Sequence, residues 1–219
     1  MYTLAFDTTA DGCFIALLDD NVVLEKFQQK MDFGQAEVLM TGIEDILNRR
    51  CLKFSDINLL AVCIGPGSFT GVRSSIAAAR AFSLARPNIQ ITGVSAFEAY
   101  AHSLEINELS ALNAVIIETK REDFYFQLFN GKLEKLCDAA ALPYEQIIEM
   151  LKGSTVTLVG NGVERFLDKP SGLTLHTIRM DNNPPIADLA VCALQKFKSK
   201  KLNYPKPLYL RAPDVCVKS

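Results

Sequence analysis

Apolar residues fall in short runs punctuated by turn residues. Tyr2 to Asp7 and Cys13 to Leu18 read as two strands joined through Ala10-Asp11-Gly12, and Asp19-Asp20-Asn21 turns the chain into a third, Val22 to Phe27. Turns this tight demand antiparallel neighbours. From Gln35 to Asn48 the period changes: Val38, Leu39, Ile43, Ile46 and Leu47 recur at helical spacing. The unbroken run Asn58 to Ile64 suits a buried central strand. A glycine-rich loop then opens a helix from about Thr70 to Arg86, stopped by Pro87. Ile89 to Val94 follows as a strand, and Ser95 with Glu98 forms a capping box for a helix reaching Leu104.

The same order then restarts. Ala114 to Glu118 and Phe124 to Phe129 read as strands, and Asn130-Gly131 as a hairpin turn into a strand from Lys132 to Leu136. A helix opens at Pro143 and a strand runs from Thr155 to Val159. A short helix near Val163 to Leu167, a strand from Leu173 to Ile178 and a final helix after Pro184-Pro185 complete the half. Repetition of one element order predicts two similar α/β lobes facing each other across a cleft. The expected division is residues 1–106 for the first lobe and 107–219 for a smaller second one, with the final tail able to return to the first.

Composition narrows the classes. The chain has 219 residues, 49% hydrophobic and 22% charged, which are globular values. A net charge of −2 argues against nucleic-acid wrapping by bulk positive charge. Six scattered cysteines (Cys13, Cys51, Cys63, Cys137, Cys192 and Cys216) contain no C-x-x-C pair and mostly sit in apolar runs, so a reducing cytoplasm is the expected compartment. No run is long enough for a membrane span, and the first residues lack a signal-peptide pattern.

Three features could carry chemistry. Gly65-Pro66-Gly67-Ser68-Phe69-Thr70-Gly71-Val72-Arg73 lies between a strand and a helix, where free backbone N–H groups can cradle an anion. It lacks the lysine of a phosphate-binding P-loop, has Thr70 where a dinucleotide fingerprint needs glycine, and Pro66 brings no N–H. A tight turn that needs glycine backbone angles is the alternative. Asp7 and Glu118 each end the opening strand of a half and are weak candidates for holding magnesium and a nucleotide phosphate, or else cap the turns that follow. The lysines from Lys196 to Lys206 are either a solvated helix end or a tRNA or phosphate contact. The only histidines, His102 and His176, are too far apart in sequence for a paired-imidazole metal motif, and Ser68 is not in a hydrolase elbow. The helix from Thr70 is rich in small residues, which leaves one side for its own sheet and the other for a partner, edged by Arg73 and Arg80.

The segments Leu4-Ala5-Phe6-Asp7-Thr8-Thr9, Ile64 to Arg73, Gly93-Val94-Ser95 and Pro207-Leu208-Tyr209-Leu210-Arg211 together resemble the TsaB (YeaZ) family. The resemblance covers essentially the whole chain, and the Gly-Pro-Gly-Ser-Phe-Thr-Gly-Val-Arg segment is its most specific part. It implies a two-lobed α/β fold of the actin/Hsp70/sugar-kinase (ASKHA) type, with mixed sheets flanked by helices. It implies a non-catalytic partner of TsaD, which carries the metal-binding histidines and transfers threonylcarbamoyl to N6 of adenosine 37 in tRNAs reading ANN codons.

The family's partner surface is a pair of first-lobe helices, which can also self-pair as a homodimer. Here these carry Glu37, Val38, Leu39, Ile43 and Ile46 on one helix and Phe69, Arg73, Ile76, Ala77 and Arg80 on the other. On that placement, Ile43→Asp or Ala77→Arg is expected to abolish TsaD binding with the chain still folded. The resemblance also implies recruitment of the ATPase TsaE through the complex, and only indirect contact with tRNA. It implies no catalytic residue, no metal and no cofactor of the chain's own; ATP or ADP at the surface shared with TsaD stays open. Glu118-Thr119-Lys120-Arg121 stands where the family commonly has Asp-Ala-Arg, and Gln35-Ala36-Glu37 where it commonly has His-Ser-Glu. The competing reading is a nucleotide-binding phosphotransferase-like enzyme of the same fold.

Overall fold

The first half of the chain builds a five-stranded sheet from β1 (Tyr2–Asp7), β2 (Gly12–Asp19), β3 (Val22–Lys30), β4 (Ile57–Cys63) and β5 (Gln90–Val94), in the order β3-β2-β1-β4-β5. The computed structural model describes residues 1–31, 34–180 and 183–211. Short turns make β1, β2 and β3 antiparallel, whereas α1 (Gln35–Arg49) and α2 (Phe69–Ala85) supply the crossovers that bring β4 and β5 in parallel. Helix α3 (Ala96–His102) begins at Ser95, whose side chain and that of Glu98 form the expected capping box.

The second sheet repeats the plan. β6 (Leu112–Glu118), β7 (Phe124–Asn130), β8 (Ala140–Leu142), β9 (Thr155–Val159) and β10 (Thr174–Arg179) lie in the order β8-β7-β6-β9-β10, with the same antiparallel and parallel pairs. Helices α4 (Tyr144–Leu151), α5 (Val163–Leu167) and α6 (Ile186–Lys198) stand where α1, α2 and α3 stand in the first half. The internal repeat legible in element order is thus a repeat of sheet topology.

One strand differs from expectation. No strand runs from Lys132 to Leu136. Instead the Asn130 side-chain oxygen accepts the N–H groups of Lys132 and Glu134, both at 2.9 Å, and Leu133 takes a left-handed φ of 60°. The chain curls after a single bridge between Phe129 and Lys135, and β7 pairs later with Ala140–Leu142.

Each central strand feeds two cores. In β2, Cys13, Ile15 and Leu17 face α1 and α2, whereas Phe14, Ala16 and Leu18 face inward, and all six are at most 1% exposed. The inward faces of both sheets, with α3 and α6, share one apolar cluster containing Ala5, Phe97, Val115, Ile117, Phe129 and Leu189. Helix α6, late in the sequence, packs on β1, β2, β4 and β5 of the first sheet. Cys13, Cys63 and Cys192 are buried, Cys137 is half-buried and Cys51 is exposed, while Cys216 lies outside the described residues. No helix among the described residues is long and apolar enough to cross a membrane.

Candidate functional site

The glycine-rich loop sits directly on the turn that follows β1. Ser68 caps α2 by accepting the Gly71 N–H at 3.3 Å, and its own N–H donates to the Thr9 carbonyl at 2.7 Å. The Thr8 hydroxyl donates to the Gly71 carbonyl at 2.8 Å and lies 2.7 Å from the Ser75 hydroxyl. Only Gly65 of the loop needs a left-handed backbone, at φ +99°. Gly67 and Gly71 are there for close approach: a Cβ would fall 2.3 Å from the Thr9 carbonyl oxygen and 1.9 Å from that of Thr8. The backbone donors of Ser68, Gly71 and Val72 are all engaged within the protein. Of the two readings of this loop, the geometry favours the tight turn, because Gly67 and Gly71 are needed for close approach and three of the loop's donors are spent within the protein.

The two strand-end acids occupy equivalent places and behave oppositely. Asp7 is 1% exposed and accepts the Thr9 N–H at 2.6 Å. Burial pushes its pKa up, only partly offset by the bonds from Thr9. Glu118 receives a bidentate pair from Arg165, at 2.6 and 2.9 Å, and the Lys120 N–H at 2.6 Å. Burial opposes its ionisation, but the bonds from Arg165 and the loop N–H groups outweigh it and hold its carboxyl below the usual range. Both acids line an interlobe cavity of about 240 Å³ with Thr9, Ser68, Tyr100 and Tyr125. That is below the roughly 300–1,000 Å³ usual for small-molecule sites. Lys120 reaches across its mouth to Asp11 at 2.9 Å.

In the second lobe the Gly160-Asn161-Gly162 loop mirrors the first. A Cβ at Gly160 would lie 2.2 Å from the Ile116 carbonyl oxygen, and Asn161 accepts the Glu118 N–H at 3.0 Å. Among the described residues no group of three or more His, Cys, Asp or Glu side chains is placed to hold a metal ion. For Glu118 to bind a divalent cation it would have to leave Arg165. His176 is exposed, as strand alternation predicts, with Nε2 3.0 Å from the Asn107 carbonyl.

A stability measurement checks the Glu118 pairing. Because its folded pKa is depressed, the ionised pair stabilises the protein at neutral pH, and the contribution disappears as pH falls below the ordinary value of 4.5. Arg165→Ala should cost about 1 kcal/mol near neutrality, allowing for screening of this part-exposed pair, or roughly 2–4 °C in Tm. The gap between the two melting curves should narrow in acid; whatever persists there belongs to the contacts of Arg165 that do not titrate, its bond to the Asp123 carbonyl at 2.8 Å and its packing over Phe124, whose ring centroid is 3.8 Å from the guanidinium carbon.

The helix pair divides into two faces. Leu39, Ile43, Ile46 and Ile76 belong to the core beneath the first sheet and are at most 4% exposed. A charge at Ile43 would therefore unfold the lobe rather than report on a partner, contrary to the sequence-based expectation for Ile43→Asp. Glu37 and Ala77 are exposed and Val38 is half-buried. Phe69, Arg73 and Arg80 are instead engaged by the C-terminal strap, residues 203–211. Tyr209 stacks on Phe69 at 5.0 Å, Arg73 donates to the Tyr209 hydroxyl at 3.2 Å, and Arg80 donates to the Pro205 carbonyl at 2.7 Å. Arg211 continues to the second lobe and pairs with Asp123. Sequence reasoning missed Met40, 46% exposed, and Leu84, 83% exposed, which join Thr41, Glu44, Ala77 and Ala81 on the outer side of the two helices. The spacing of Ala77, Ala81 and Leu84 was the signal available for them.

Comparison with known proteins adds the family. The TsaD family model, tRNA N6-adenosine threonylcarbamoyltransferase, matches residues 34–178. The tRNA threonylcarbamoyladenosine biosynthesis protein TsaB of Haemophilus influenzae is 31% identical over 229 residues, covering 95% of this chain and 92% of that one. The chain belongs to the TsaB family. YeaZ from Pseudomonas aeruginosa superposes on this TsaB-family chain with a TM-score of 0.81 at 21% identity, covering 95% and 99% of the two chains. A ROK hexokinase from Thermus thermophilus shares the fold at a TM-score of 0.55 and 12% identity, over 90% of this chain and all of that one. The TsaB-family chain thus has the two-lobed sugar-kinase-like α/β architecture, and its family takes part in tRNA threonylcarbamoyladenosine biosynthesis.

Proposed function

We propose that this TsaB-family chain is a non-catalytic subunit that binds and activates TsaD in forming N6-threonylcarbamoyladenosine at position 37 of ANN-reading tRNAs. The observation that carries the reading is the outer face of α1 and α2, where Met40, Thr41, Ala77, Ala81 and Leu84 lie exposed beside Glu37 and Glu44. Small residues let a partner helix approach to about 8–10 Å, and the long apolar side chains at Met40 and Leu84 are suited to fill its grooves. The match to the TsaD family model supports pairing of like with like: two chains of one architecture can apply equivalent helix faces to each other. A homodimer is the self-paired version of that contact, and TsaE joins through the assembled complex. The occupied loop donors and the Glu118–Arg165 pair favour a cleft that is structural in the chain by itself.

The test is reconstitution of threonylcarbamoyl transfer to tRNA by TsaD with and without this chain. Transfer that depends on the chain is expected, together with no tight ATP–magnesium binding by the isolated chain in calorimetry. Equal TsaD turnover without it, or turnover of a substrate by this chain alone, would overturn the reading.

A further inference from the structure

Between Asp188 and Asp214 the sequence contains six cations and no acid, although the chain as a whole has 25 acids against 23 Lys and Arg. Two of the six are engaged: Lys196 pairs with Glu98 at 3.1 Å, and Arg211 pairs with Asp123. The other four, Lys198, Lys200, Lys201 and Lys206, are exposed, with no ion-pair partner among the described residues. They are fixed to a rigid track. The Asn203 N–H donates to the Thr92 hydroxyl at 3.2 Å, its carbonyl accepts the Gly93 N–H at 2.9 Å, and Leu208 N–H donates to the Ile64 carbonyl at 2.8 Å. The strap is thereby laid along the edge of the first sheet and across α2.

Two tyrosines punctuate this basic track, each supported by an arginine. Tyr204 is 57% exposed, with the Arg80 guanidinium 5.1 Å from its ring centroid, and Tyr209 is 42% exposed on the Phe69–Arg73 stack. A row of unpaired lysines interleaved with open aromatic rings matches the chemistry of an unpaired RNA strand, whose phosphates take the cations and whose bases stack on the rings.

We propose that the segment from Lys198 at the end of α6 to Tyr209 in the strap is an RNA-contacting surface: the lysines hold the phosphate backbone of an unpaired loop, and Tyr204 is a stacking platform for one of its bases. The proposal rests on the functional reading above only in taking RNA as the polyanion, and it makes contact with RNA direct rather than solely through the partner. The track runs along the Arg73–Arg80 edge of the Met40–Leu84 face, and its four lysines lie outside α1 and α2.

The experiment is fluorescence anisotropy of a labelled anticodon stem-loop RNA with the full chain over a salt series. Joint replacement of Lys198, Lys200, Lys201 and Lys206 by alanine should weaken binding at least tenfold, and flatten the salt dependence of log K by roughly 0.7 per lysine. Tyr204→Leu should weaken binding about tenfold while Tyr204→Phe binds like the unaltered chain. Absence of binding by the unaltered chain, or equal binding by the lysine variant, would overturn the proposal. So would displacement by duplex DNA as effective as by RNA with no effect of Tyr204→Leu, because the track would then be a plain polyelectrolyte. Capture of TsaD by the same variants should be unchanged. Lost RNA binding with retained capture supports the track, whereas RNA binding without capture refutes only the partner reading.

Discussion

Ala77→Arg is expected to abolish capture of TsaD by this chain while leaving it folded. Ala77 is exposed on α2, on the side turned away from the sheet. An arginine there would stand several ångströms above a surface whose closeness to a partner helix depends on small side chains. It would also bring a charge that must be desolvated into the middle of the contact. Central lesions of this kind cost about 2 kcal/mol or more, so affinity should fall by roughly 30-fold or more. Co-purification with tagged TsaD reads the loss, and an unchanged melting temperature shows that the lobe is intact. Retained capture would remove the α1–α2 face from the interface. The same measurement on Ile43→Asp would be uninformative, because Ile43 is 4% exposed and the variant fails by unfolding.

Gly71→Ala should be the most destabilising single-methyl change in the glycine loop. In an ordinary helix position, alanine gains up to about 1 kcal/mol over glycine. Here the added Cβ would lie 1.9 Å from the Thr8 carbonyl oxygen and 2.8 Å from its carbonyl carbon, both backbone atoms that cannot swing aside. Separating α2 from the turn would also break the bond from the Thr8 hydroxyl to the Gly71 carbonyl and the Thr8–Ser75 pair. A loss of about 3 kcal/mol is expected, or roughly 6–12 °C in Tm by thermal melting. A variant as stable as the original would mean that Gly71 serves some end other than close packing.

These two positions also show how much of the molecule was legible in advance. The short apolar runs of β1 and β2, the unbroken run of β4, and the Ser95–Glu98 capping box are local signals, and each element formed where its pattern placed it. The helical period of Leu39, Ile43 and Ile46 likewise marked a buried stripe. Read as a partner surface, that stripe was assigned to the wrong neighbour: an apolar face at this spacing is first required by the helix's own sheet. The face left over for a partner is the one without strong periodic apolarity, which is why Met40 and Leu84 drew no notice. The strand expected from Lys132 to Leu136 failed for a related reason. The pattern favoured extension, but the Asn130 side chain offered the backbone a tighter set of bonds.

By itself the sequence determined the element order, its repetition, the position of the glycine loop and the resemblance to a family, because each is written in neighbouring residues or in a fixed period. Only the tertiary structure decided that Gly67 and Gly71 are required by Thr9 and Thr8, that Glu118 is committed to Arg165, and that Arg73 and Arg80 hold the strap. Those partners lie between 47 and 136 positions apart. Such contacts depend on how two twisted sheets and a returning tail are stacked in space, and a local pattern of apolar and polar residues carries no record of that distance.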